Sequence, residues 1–212
     1  MKDCLVNRLV VFGCSHTYGH GLSDCYDPDT GIAGPQPSLQ AWPAQLAKIL
    51  SETHNLNILL VNKATPGSSN KEIMHNILEF DFEKDDICVV MWTYVDRHSI
   101  FQSKENVIQI IPMMNKKWYQ KYHTDFDANY NMWQNINHTK LLLDSLDIAN
   151  WHCSVNKSQM YNPPKWNNVE VIKTDFNTWR DQHPALDKQH AGPFAHKKQA
   201  QELKVIIDAY YK

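Results

Sequence analysis

Ser15, Asp187 and His190 are the residues whose types and spacing could together perform nucleophilic hydrolysis. A serine hydroxyl becomes a useful nucleophile only with a base in hydrogen-bond reach. It also needs an acid that holds the base in the right tautomer, and N–H donors for the developing oxyanion. Asp187-Lys188-Gln189-His190 supplies an acid and a base three residues apart. On a turn ahead of a helix, that spacing can bring both side chains toward one sheet edge. Ser15 stands at the other end of the chain, in Gly13-Cys14-Ser15-His16-Thr17-Tyr18-Gly19, so the fold must close the gap.

Other chemistries compete for the same residues. Asp181-Gln182-His183-Pro184 offers a second acid and base, one residue more closely spaced. Cys14, His16, His20 and Cys25 fall within a dozen residues, and thiolate with imidazole suits zinc, although their spacings match no common zinc pattern. The Cys14 side chain should point away from that of Ser15 into the structure, where a buried thiol is normally inert. His16, Thr17 and Tyr18 follow the serine and are expected either to line the cleft or to pack beneath the loop. Arg97 is expected either to bind an anionic substrate group or to form a surface ion pair with Asp96 or another acid.

The elements that would carry these residues are legible in the hydrophobic pattern. Arg8 to Phe12 is a short β-branched run, which reads as a buried strand, and Ser15 would sit at its C-terminal mouth. In open α/β sheets, ligands gather there. A loop from Gly19 to Pro37 follows, then a helix capped by Ser38 with Pro43 near its start. Asn57 to Asn62 reads as a second strand, Asn70 to Phe82 as a helix and Asp86 to Thr93 as a third strand. A helix is expected over Tyr130 to Asp147, and a fourth strand over Trp151 to Val155. A Pro/Asn loop spans Asn162 to Asn168, with a short extended piece over Val169 to Ile172. The last helix spans about Lys197 to Tyr210, with His196 at its start. The alternation predicts an α/β fold, a three-layer α/β/α sandwich with a mostly parallel sheet. Residues 1–212 read as a single domain, with an insertion or irregular flap around 98–125.

Composition narrows the classes further. The chain has 212 residues, 42% hydrophobic and 21% charged, with a formal charge of −2 and no long run of either sign. Nothing in that balance suggests nucleic acid or an anionic membrane as partner. No apolar stretch reaches the roughly 20 residues of a spanning helix, and MKDCLVNR lacks a signal-peptide core, so a cytoplasmic location is expected. The five scattered cysteines, without a CxxC pair, suit reduced thiols. Abundant lysine and asparagine beside only three arginines fit an AT-rich viral or bacterial genome.

Taken in order, the blocks resemble the SGNH (GDSL-type) hydrolases. That family has Gly-Asp-Ser directly after its first strand, where this chain has Gly13-Cys14-Ser15. It has a glycine in the loop after its second strand, matched by Gly67 in ATPGSSN. It ends in Asp-x-x-His before a final helix, matched by Asp187 and His190, with Ala191 in place of the usual proline. SLQAWPAQLAKIL sits where such proteins carry a Trp-Pro helix. The third block, usually Gly-x-Asn-Asp, aligns with Met91-Trp92-Thr93-Tyr94-Val95-Asp96-Arg97 and lacks its asparagine.

The resemblance implies a flavodoxin-like sandwich and a serine esterase without metal or organic cofactor. Ser15 would be the nucleophile, His190 the base and Asp187 its orienting acid. The N–H groups of Ser15 and Gly67 would bind the oxyanion with help from Thr93, and Arg97 and His16 would contact substrate. The implied substrate is a small-molecule or carbohydrate ester, an O-acetyl or O-acyl sugar fitting the many aromatics. The other reading is a catalytically weak protein of the same fold that keeps the pocket for recognition, since the asparagine donor is missing.

Overall fold

The computed structural model describes residues 8–104, 106–160 and 163–210, so Cys4 and the amino-terminal stretch lie outside the described residues. Its centre is a five-stranded sheet built of β1 (Arg8–Phe12), β2 (Leu59–Asn62), β3 (Ile87–Trp92), β6 (Ala149–Ser154) and β7 (Ile172–Lys173). The order is β2-β1-β3-β6-β7 and every pairing is parallel. This is the doubly wound order whose connections reverse direction between β1 and β3, and ligands bind outside the strand ends at that point. Ser15 and Thr93 follow those two strands.

From Leu9 to Phe12 and from Ile87 to Trp92, the two central strands are apolar without interruption because both their faces are covered. Leu9, Val11, Ile87, Val89 and Met91 pack on one side with α2 (Trp42–His54) and α7 (Pro193–Tyr210), through Trp42, Leu46, Leu50, Leu203 and Ile207. Val10, Phe12, Cys88, Val90 and Trp92 pack on the other side with α3 (Asn70–Leu78) and α5 (Asp125–Ser145), through Ile73, Ile77, Trp133, Ile136 and Leu143. The period-two alternation of each strand thus feeds two separate cores. Cys14, Cys25, Cys88 and Cys153 are all buried and unpaired by disulfide. Among the described residues, no helix is long and apolar enough to cross a membrane.

Several boundaries differ from the sequence expectation for local reasons. Ser38 does not cap α2, which begins four residues later with Pro43 in its first turn. Its hydroxyl instead donates to Asp24, and the first helical N–H, that of Trp42, donates to Nδ1 of His196 at 3.0 Å. α3 stops at Leu78, and Phe80 leaves the helix to meet the Phe12 ring edge-on at 5.6 Å. α5 begins at Asp125, where the Thr124 hydroxyl accepts the Asp127 N–H. α6 (Phe176–Gln182) was not expected at all.

The segment expected as an irregular flap is instead regular. β4 (His98–Phe101) and β5 (Val107–Ile110) form an antiparallel hairpin outside the main sheet, followed by α4 (Lys116–Tyr122). Its pattern was hard to read because the hairpin buries little: of its eight residues only Ser99 and Ile110 are buried.

Candidate active site

Ser15 is the first residue of α1 (Ser15–Tyr18), a single turn that begins immediately after β1 and the two-residue link Gly13-Cys14. The turn is too tight for a side chain at Gly13, where a Cβ would fall 2.1 Å from Thr17 Oγ1. Cys14 turns into the core with no exposure, which leaves the next side chain, Ser15, to face the other way. Thr17 and Tyr18 both return their N–H groups to the Cys14 carbonyl. Among the described residues, no hydrogen bond takes up the backbone N–H of Ser15 or of Gly67.

The Asp187–His190 spacing works through a small closed turn. Pro184 and Ala191 form an antiparallel bridge, and the Ala185 N–H donates to the His190 carbonyl at 2.8 Å. Within it, Asp187 Oδ1 accepts the N–H groups of Gln189 and His190, both at 3.0 Å, while Lys188 takes a left-handed φ of 58°. This is an Asx-type turn, the local bonding that short carboxylates favour. The second oxygen, Oδ2, is left to accept Nδ1–H of His190 at 2.5 Å. With the proton held on Nδ1 by that acceptor, Nε2 is itself the acceptor, and it lies 2.9 Å from Ser15 Oγ. The fold therefore joins residues 175 positions apart into a continuous Ser15–His190–Asp187 chain.

Two more imidazoles enclose His190. His20 stacks on it almost parallel, with centroids 4.6 Å apart and planes 12° from each other. His16 lies 4.9 Å away on a tilted plane and contacts Phe176 and Tyr94 as well. His16 is only 2% exposed, so it packs beneath the base and does not line an open cleft. Burial pushes the His190 pKa below the usual histidine range, although Asp187 pulls the other way. Burial would raise the Asp187 pKa, but the hydrogen bonds from the His190 ring and from the His190 and Gln189 N–H groups outweigh it and hold the carboxyl below its ordinary value. His16 is held neutral by burial first and by the neighbouring His190 and Arg97 next. At neutral pH an ionised carboxylate therefore stands beside a neutral imidazole, the charge state in which an imidazole can take a proton from a neighbouring hydroxyl.

The remaining expected residues fall as follows. Thr93 is fully buried; its N–H donates to Asn70 Oδ1 at 2.8 Å, and its hydroxyl has no partner. Asn70, at the start of α3, also donates Nδ2–H to the Thr93 carbonyl at 3.3 Å. A carboxamide therefore does stand at the end of β3, but it comes from another element, and a helix-initiating Ser-Ser-Asn carried no sign of that reach. Gly67 has a φ of 84°, and a Cβ there would fall 2.2 Å from Gln109 Oε1. Arg97 lies over the Tyr94 ring at 5.1 Å and, among the described residues, makes no ion pair, so the expected pairing with Asp96 does not form.

The competing readings do not assemble. His183 packs on Phe194 at 4.3 Å, and it is His190 that meets Ser15. Cys14, His16, His20 and Cys25 are not brought together. Among the described residues, the one cluster able to hold a metal is His20, Asp187 and His190, which would engage the acid and base themselves.

Protein-family models and curated protein sequences give no match to the chain. Solved structures do. A lipase from a goat rumen metagenome is 11% identical with a TM-score of 0.57, covering 94% of this chain and 96% of its own. A psychrotrophic esterase from Pseudoalteromonas sp. is 9% identical with a TM-score of 0.58, covering 97% and 98%. An acetyl xylan esterase from the rumen bacterium Butyrivibrio proteoclasticus is 12% identical with a TM-score of 0.58, covering 97% of this chain but 64% of its own. At these identities the likeness is one of fold, and it spans nearly all of the chain. This protein has the SGNH/GDSL hydrolase fold, carried by a strongly diverged sequence.

Proposed function

We propose that the protein is a serine esterase. The observation that carries this reading is the Ser15 Oγ–His190 Nε2 contact at 2.9 Å, continued from His190 Nδ1 to Asp187 Oδ2 at 2.5 Å. Ser15 Oγ attacks the ester carbonyl while His190 takes its proton, then returns that proton to the leaving alcohol. Water repeats the sequence on the acyl-enzyme and frees Ser15. Asp187 fixes the Nδ1–H tautomer and supports the imidazolium that forms. The uncommitted N–H groups of Ser15 and Gly67 suit the oxyanion. A carbohydrate O-acyl ester is the preferred substrate. The exposed aromatics Tyr130 and Trp166, whose rings meet edge to face, offer apolar faces of the kind that pack on sugars, and the acetyl xylan esterase shares the fold.

A second reading, recognition with weak catalysis, is favoured by one observation. The Thr93 N–H is already engaged by Asn70, which leaves only the buried Thr93 hydroxyl to stand in for the third oxyanion donor of the SGNH hydrolases. Loss of one such donor typically costs about 10²–10³ in turnover. Hydrolysis of p-nitrophenyl acetate by the wild type and by Ser15→Ala separates the readings. The esterase predicts turnover that disappears in the variant; equal background rates in both would contradict it.

A further inference from the structure

A cavity of about 330 Å³ opens beyond the end of β3. Its walls come from the start of α3, the residues after β3, the hairpin strand β4, α4 and α5. Arg97, Lys71, His98, Trp118, Asn131 and Asn135 supply its polar and aromatic lining, which holds no acidic residue, although Glu72 accepts a hydrogen bond from the lining residue Ser99. The three arginines of this chain make the point by contrast. Arg8 is paired with Asp86 and Glu83, and Arg180 with Asp181. Arg97 has no carboxylate among the described residues, and its Nη1 is buried without any hydrogen-bond partner. A buried guanidinium N–H left unpaired costs free energy, which an incoming acceptor would recover.

A chain of side-chain contacts links Arg97 to the serine site. Arg97 stacks on Tyr94, whose hydroxyl lies 3.4 Å from His16 Nε2, and His16 packs on His190. Asp96 and Asp127 act electrostatically on His98 but do not line the cavity. His98 shares a hydrogen bond with His123 at 3.1 Å.

We propose that this cavity is a subsite for a carboxylate borne by the substrate, held by Arg97, so that the ester cleaved at Ser15 belongs to an acidic molecule. The planar guanidinium fork matches a carboxylate, while Lys71, Asn131 and Asn135 offer further donors. The inference rests on the esterase reading for its chemistry but not for its binding.

Two matched substrate pairs locate the charge. 4-Nitrophenyl hemisuccinate against 4-nitrophenyl butyrate tests the acyl side, and 4-acetoxybenzoate against 4-acetoxybenzamide tests the alcohol side. In at least one pair, kcat/KM should favour the anion by roughly ten-fold, the scale of one charge-assisted hydrogen bond. Arg97→Gln should erase that preference, Arg97→Lys should restore part of it, and added salt should narrow it. Calorimetry on Ser15→Ala with the same four compounds reads the subsite without turnover, so loss of hydrolysis alone would sink only the esterase reading. Should Arg97→Gln fail to fold, Asn131→Asp places a negative charge in the cavity from the exposed side of α5 and should weaken the anion selectively. Equal binding of anionic and neutral partners, or a preference that survives both variants, would overturn the subsite.

Discussion

Gly21 is fitted against Asp187: a Cβ on this glycine would come within 2.7 Å of Asp187 Oδ1, and its φ is 90°. The Gly21 carbonyl also accepts the Leu186 N–H at 3.0 Å. The loop that follows the serine and the turn that carries the acid therefore hold one another in place. Gly21→Ala should cost about 1–3 kcal/mol from the left-handed backbone alone. It should also lower kcat more than KM, because the displaced group is the acid and not a substrate contact. Thermal unfolding and steady-state kinetics on one preparation check both parts.

The stacked pair His20–His190 leads to a pH prediction. Activity needs His190 neutral, so its acid limb should lie below about 6.5, the ordinary histidine value. Asp187, His20 and His16 contact the ring, and Arg97 and His196 act on it electrostatically. His20→Ala opens the ring to water and removes a neighbour that opposes protonation. The limb of kcat/KM should then move to higher pH. An unmoved limb would mean that the stack has no electrostatic influence on the base.

Buried histidines should also govern acid stability. Burial lowers the His152 and His196 pKa values to about 3, and His16 well below its normal value. Because the folded values are depressed, the unfolded chain binds more protons between about pH 3 and 6.5. Stability should accordingly be full above about 6.5 and fall as pH drops through that window. Asp187, also depressed, adds a further loss at lower pH, as its carboxylate is protonated. Urea unfolding between pH 7.5 and 5 should show a decreasing midpoint, and a flat profile would argue against neutral burial.

Asn70 bridges both backbone groups of Thr93. Asn70→Ala leaves a buried N–H and C=O unsatisfied and should cost about 1–3 kcal/mol. Asn70→Asp can still accept the Thr93 N–H, but it buries a charge and turns its second oxygen toward the Thr93 carbonyl, so a loss at least as large is expected at neutral pH. Denaturant midpoints for the two variants give the comparison.

Much of this was legible in the residues. The uninterrupted apolar runs of β1 and β3 marked the buried parallel strands, and the Asp-x-x-His spacing marked an acid and base that a local turn could hold together. The hairpin and α4 were illegible because their side chains are mostly half-exposed and leave no clean period. The start of α2 was misplaced because its first N–H is held by His196, 154 residues away, and no local signal encodes that partner. The His20 stack, the Gly21 contact and the Asn70 bridge were hidden for the same reason. Each joins segments that only the folded sheet brings side by side.

The most direct test of the account is reaction with a fluorophosphonate probe followed by mass spectrometry. A single adduct on Ser15 is expected, abolished in Ser15→Ala and strongly slowed in His190→Ala but not in His183→Ala. Labelling at another residue, or equal labelling of the wild type and His190→Ala, would contradict it.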